Sequence, residues 1–120
     1  MWVEKLRWVR VDDPRVRTLP VDAHMRLSLG GHTLRLVRTP AGLFALEDRC
    51  PHQGRSFEGG WCEDGCLVCP WHRFAYDPAT GRARQGSTVN VGTFPVEQRE
   101  NGLHIGFPYT TFRLFGIDLW

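Results

Sequence analysis

Cys50-Pro51-His52-Gln53-Gly54 and Cys69-Pro70-Trp71-His72 are the two short boxes around which the rest of this chain arranges itself, with the sixteen residues Gln53 to Val68 between His52 and Cys69. Each box offers one soft thiolate and one imidazole. Pro51 and Pro70 stiffen the backbone directly after each cysteine, and Gly54 permits a tight bend. Two such loops can pinch a binuclear iron centre, one iron taking both thiolates and the other both imidazoles. Two Cys and two His also make a tetrahedral zinc set, although zinc sites usually group Cys with Cys and His with His.

Between the boxes, Trp61-Cys-Glu-Asp-Gly-Cys-Leu-Val-Cys69 adds Cys62 and Cys66. The run Cys-x-x-x-Cys-x-x-Cys admits an all-thiolate cluster, but the Cys-His alternation of the boxes argues against it. Cys62 and Cys66 are expected as reduced, partly buried thiols, with a local disulfide or occasional metal ligation as alternatives.

Working outward, Gly and Pro punctuate short runs of Val, Leu, Phe and Trp, the pattern of many short antiparallel strands. Trp2 to Val11 alternates imperfectly, which suits a strand covered on both faces. Met25 to Leu29 and Thr33 to Arg38 form a hairpin across Gly30-Gly31, and Leu43 to Leu46 follows the Pro40-Ala41-Gly42 turn. Phe94 to Glu100 meets Leu103 to Phe107 across Asn101-Gly102. No long helix is expected. The reading is an all-β antiparallel sandwich or barrel of one domain: residues 1–46 and 89–107 form base sheets, 47–88 an inserted subdomain that presents the boxes, and 108–120 an apolar tail that packs back on the barrel rather than docking on a partner.

The bulk figures fit that reading and exclude others. A chain of 120 residues is long enough for one core. Its hydrophobic fraction of 42% and charged fraction of 23% are those of a globular protein. A net charge of +2 with scattered arginines does not support nucleic-acid binding. No secretory signal and no run of about 18 apolar residues is visible, so a cytoplasmic protein without a membrane anchor is expected, and metal or redox use of the cysteines is favoured over disulfides. His24, His32 and His104 have no carboxylates at metal-ligand spacing and are expected as surface or strand residues. No phosphate-cradling loop or nucleophilic triad pattern occurs, so no catalytic residue is assigned.

The boxes, together with Phe74-Ala-Tyr-Asp-Pro-Ala-Thr-Gly81, Leu43-Phe-Ala-Leu-Glu-Asp48 and Thr93-Phe-Pro-Val96, resemble the Rieske ferredoxin family over about two-thirds of the chain. The resemblance implies one [2Fe–2S] cluster per chain, held by Cys50, His52, Cys69 and His72, with the histidine side facing solvent. It implies a one-electron carrier between a flavin reductase and an oxygenase or similar acceptor. A small subunit of a larger reductase, similar to that of nitrite reductase, and a non-redox zinc or binding module are the alternatives. The length leaves no room for the mononuclear iron domain of an oxygenase's large subunit.

Relative to the Rieske proteins of respiratory complexes, Arg55 and Trp71 stand where the bridging cysteines would be, and Phe74 replaces a serine two residues after the second ligand histidine. The resemblance therefore lies with the ferredoxin and oxygenase-associated branch. A potential in the lower part of the range of about −150 to +300 mV is expected. Gly54, Trp71, Arg73 and Tyr76 are the surrounding residues singled out: Tyr76 as a donor to a ligand sulfur, and Arg73, where the family commonly has glycine, as a cation that raises the potential or steers an acidic partner.

Overall fold

The computed structural model describes residues 1–51, 54–85 and 89–118. Twelve strands follow in order: β1 Trp2–Arg10, β2 Ala23–Leu29, β3 His32–Thr39, β4 Gly42–Glu47, β5 Trp61–Glu63, β6 Cys66–Val68, β7 Ala75–Tyr76, β8 Ala83–Gln85, β9 Thr93–Phe94, β10 Val96–Arg99, β11 Gly102–Leu114 and β12 Ile117–Asp118. Among the described residues the one helical segment is a 3-10 turn at Pro14–Val16, capped by Asp13, whose side chain accepts from the Arg15 N–H. The architecture is all-β and antiparallel, as the turn-punctuated sequence predicts.

Three sheets are formed, ordered β1-β11-β10 with β12 beside β11, β2-β3-β4-β9, and β5-β6-β7-β8. The first two pack on each other through Leu27, Leu34, Leu36, Ala45, Ile105 and Phe107. The third sheet closes a second core with Val37, Leu46, Phe57, Leu67, Tyr76, Cys50 and Cys69. Strand β3 explains how two cores coexist. Its alternating side chains send Leu34 and Leu36 to the first and Val37 to the second, so a nearly continuous run is buried. Each fully buried Leu contributes roughly 1.5–3 kcal/mol.

Four sequence expectations are corrected by the packing. β1 is not covered on both faces: it pairs with β11 from Trp2↔Phe112 to Arg10↔His104, whereas β10 reaches only from Gly102 to Ile105. Its outer half is therefore a two-stranded ribbon, with Trp2 63% and Leu6 44% exposed. The run Phe94 to Glu100 is broken at Pro95, which lacks an N–H: Phe94 pairs with Ala45 of β4, and Val96 with Ile105 of β11. The following turn is Glu100-Asn101, because Arg99 pairs with Gly102, whose φ is +122°. Residues 108–114, expected as the start of a tail, instead continue β11, and the last two residues lie outside the described part.

Candidate metal centre

Both boxes are built alike. The Cys50 N–H donates to the Arg55 carbonyl at 2.7 Å, and the Cys69 N–H donates to the Phe74 carbonyl at 2.8 Å. Each cysteine thus opens a loop closed by a hydrogen bond five residues on. In the first loop the Gly54 N–H also donates to the Cys50 carbonyl at 2.7 Å, with Gly54 at φ +70°, the left-handed bend that glycine takes without steric cost. In the second, His72 and Arg73 take φ of +74° and +59°. That is unfavourable for residues with a Cβ and explains why glycine would be the easier choice at position 73.

Both loops present their sulfur inward, and the second presents its imidazole outward. Cys50 is 1% and Cys69 0% exposed, while His72 is exposed at the loop tip. Burial pushes the Cys69 thiol up to about 11, and the adjoining Cys50 side chain raises it further against a lowering contact from the Trp71 backbone. A thiolate at the buried Cys69 therefore calls for a bound cation. His52 lies outside the described residues. Among the described residues no three His, Cys, Asp or Glu side chains converge on a single-ion site. The donor set, soft and buried on one side and imidazole and exposed on the other, fits a binuclear centre.

The residues around the boxes are placed as follows. The Tyr76 hydroxyl is 3.5 Å from Cys50 Sγ and its ring meets Phe57 edge-on at 5.7 Å. A metal-bound thiolate has no proton to give, so the hydroxyl is then the donor. The Phe74 ring lies 6.0 Å from the His72 ring. Arg55 and Trp71, the two positions that carry bridging cysteines in the respiratory branch, touch each other: the guanidinium stands 4.3 Å over the indole. A cation–π contact joins the loops there, worth about 0.5–1 kcal/mol at an exposed site. Cys62 and Cys66 are free thiols on β5 and β6, half-buried and buried; burial first, and Asp22 second, push Cys62 up to about 11.

One group of residues escaped the sequence reading. Arg35, in the middle of β3, is 1% exposed and faces the small subdomain. Its Nε and one terminal nitrogen bind the two Asp48 oxygens at 3.1 and 3.0 Å, that nitrogen also meets Ser56 Oγ at 3.1 Å, and the other terminal nitrogen reaches Glu58 at 2.8 Å and His24 Nδ1 at 3.5 Å. All five guanidinium donors are used. Asp48 further accepts from Ser56 Oγ at 2.8 Å and the Phe57 N–H at 3.0 Å. Asp48 lies two residues before Cys50 and Ser56-Phe57 immediately follow its loop, so this cluster clamps both ends of the loop to the base. Burial would raise the Asp48 carboxyl, but bonds from Arg35, Ser56 and the Phe57 N–H hold it below its usual value. His24 Nε2 lies 2.7 Å from the Gly60 carbonyl; since Arg35 only donates, Nδ1 accepts and Nε2 carries the proton. An arginine flanked by Leu34 and Leu36, with an aspartate just before a ligand box, was the available signal.

His32 stacks on Phe107 at 4.5 Å, and His104 is buried, its Nδ1 3.0 Å from the Gly102 carbonyl. Both are strand residues away from the boxes.

Fold and site together define a small antiparallel β protein with two buried cysteines, Cys50 and Cys69, on adjoining loops and an exposed histidine, His72, beside them. Residues 8–95 match the family described as Rieske [2Fe-2S] domain, and the chain belongs to that family. Its cofactor is accordingly one [2Fe–2S] cluster. Over 84 residues the chain is 42% identical to the 4beta-methylsterol monooxygenase of Methylococcus capsulatus, matching 60% of this chain and 22% of that protein's length. It is 26% identical over 92 residues to the ferredoxin component of the naphthalene 1,2-dioxygenase system of Pseudomonas aeruginosa, matching 76% and 86%. A solved complex of reduced oxygenase and oxidized ferredoxin in carbazole 1,9a-dioxygenase aligns with TM-score 0.69 and 25% identity, covering 82% of this chain and 91% of the other.

Proposed function

We propose that this chain is a one-electron carrier whose cluster is held by Cys50 and Cys69 on the buried iron and by His52 and His72 on the outer one. The observation that carries this reading is the pair of alike-closed loops that bury Cys50 and Cys69, with His72 exposed at the tip of the second. The cluster supplies a site that takes up and releases one electron. The protein's own residues bury the sulfur side from water, set a donor at Cys50 through Tyr76, and hold His72 at the surface, where a redox partner can approach. With two neutral imidazoles in place of two thiolates, the centre is less negative and easier to reduce than an all-cysteine one. The absent respiratory-type serine, with Phe74 in its place, favours the lower part of the range.

The acceptor in this reading is an oxygenase, by likeness to the naphthalene and carbazole ferredoxins, and the donor a flavin reductase, as the family resemblance implies; the chain is a carrier rather than a catalyst. No helix among the described residues is long and apolar enough to cross a membrane, and free cysteines fit a reducing cytoplasm. The 42% identity to part of a sterol monooxygenase favours a second reading, in which this domain is the electron entry of a larger oxygenase.

Anaerobic reductive titration followed in visible light tests the proposal. A coloured protein should take up one electron per chain at a potential in the lower part of about −150 to +300 mV. Colourless protein with one bound zinc would overturn it.

A further inference from the structure

We infer that the open end of the centre is a basic collar that docks an acidic protein surface, with Arg49, Arg55 and Arg73 as its carboxylate-binding groups. The inference rests on the carrier reading and names the chemistry of the partner. The segments Arg49 to Phe57 and Cys66 to Tyr76, which hold both boxes, contain three arginines and no Asp or Glu. All three arginines are exposed. None pairs with a carboxylate among the described residues, whereas Arg10, Arg15, Arg99 and Arg113 meet Asp12, Asp13, Glu97 and Asp118. Of the acidic residues that flank these segments, Asp48 and Glu58 are paired with Arg35 and Asp77 caps the turn after β7, while Glu63 and Asp64 sit at the turn between β5 and β6, in the groove that runs from Arg73 to Arg84.

The arginines are also held in place. Arg55 lies with its face on Trp71, which leaves the N–H edge of the guanidinium for a carboxylate. The Arg49 guanidinium packs over Gly54, 3.1 Å from where a Cβ would stand. Arg73 keeps φ +59° beside His72, a left-handed conformation unfavourable for a residue with a Cβ. Strain retained at an exposed cation beside the electron portal points to use of that cation. Trp71, 42% exposed, supplies an aromatic anchor in the middle of the collar. A partner whose contact face carries Asp and Glu around its own electron entry would be steered onto the histidine end.

The test is kinetic. Reduced protein is oxidised by ferricyanide, an anion, and by tris(phenanthroline)cobalt(III), a cation, between about 20 and 200 mM ionic strength. The ferricyanide rate constant should fall about tenfold across that range and the cobalt rate constant should rise. R49Q/R73Q, which spares the Arg55–Trp71 contact, should shrink both salt dependences by about half. R7Q/R17Q, with the same net charge but changed on β1 and after the 3-10 turn, should keep them. Equal effects of the two variants, or the same salt slope for both oxidants, would overturn the collar. Fluorescent hexaglutamate and an oligothymidylate, titrated against the same preparations, read the surface without electron transfer. Hexaglutamate binding lost in R49Q/R73Q and kept in R7Q/R17Q supports the collar even if the protein proves colourless, an outcome that would refute the carrier reading alone. Tighter binding of the oligothymidylate, or hexaglutamate binding unaffected by R49Q/R73Q, overturns the collar.

Discussion

Chemistry restricts which residues can do a job most tightly at the boxes, and there the sequence was most legible: thiolate and imidazole at those spacings leave few uses. Contacts between loops were not legible. Nothing in the sequence says that Arg55 will lie on Trp71, since the two meet only once both loops are closed. Tyr76 was readable as a position, while its 3.5 Å approach to Cys50 Sγ required the fold. Tyr76→Phe removes one donor to a sulfur and should lower the reduction potential by about 40 mV, the equivalent of about 1 kcal/mol for one electron; protein-film voltammetry on both forms reads this directly. Arg73→Gly relieves the left-handed backbone and should raise stability by about 0.5–1 kcal/mol in thermal or denaturant unfolding.

Strands were legible wherever a turn signal and an alternating run agreed, as for β2, β3 and β4. They were misread where tertiary context decides. Pro95 divides one apparent strand between two sheets, and β1 is an edge ribbon whose apolar residues find cover on only one side. The Arg35–Asp48 clamp belongs to this scale, joining β3 to the loop after β4. Asp48 is held below its ordinary carboxylate value in the folded protein, so its stabilising contribution is complete above the unfolded value near pH 4 and is lost as pH falls through the folded one. Asp48→Asn should flatten the acid limb of the stability profile and cost about 1–3 kcal/mol at neutral pH, because it leaves the buried Arg35 charge with the exposed Glu58 as its remaining carboxylate. Circular dichroism melts between pH 2 and 7 would be expected to show both effects. Thr111, buried on β11, has a hydroxyl without a hydrogen-bond partner among the described residues. Thr111→Val should therefore leave stability unchanged or raise it by up to about 1 kcal/mol.

Over the whole molecule, the extents of 49 × 34 × 22 Å and a radius of gyration of 15.6 Å exceed the roughly 13–14 Å of a compact chain this long. The β1–β11 ribbon fits that elongation. Amide exchange should accordingly be fast in the outer part of β1 and limited by global unfolding in β3, which is buried between two cores. Composition gave the class of protein and no more, since overall shape depends on which sheet edges stay unpaired. The central claim is the ligand set, and pulsed EPR of the one-electron-reduced protein tests it most directly. Coupling to two imidazole nitrogens is predicted, with one of them lost when His72→Cys retains a cluster. A reduced cluster showing no nitrogen coupling, as an all-thiolate set drawing on both Cys62 and Cys66 would give, would contradict that ligand set.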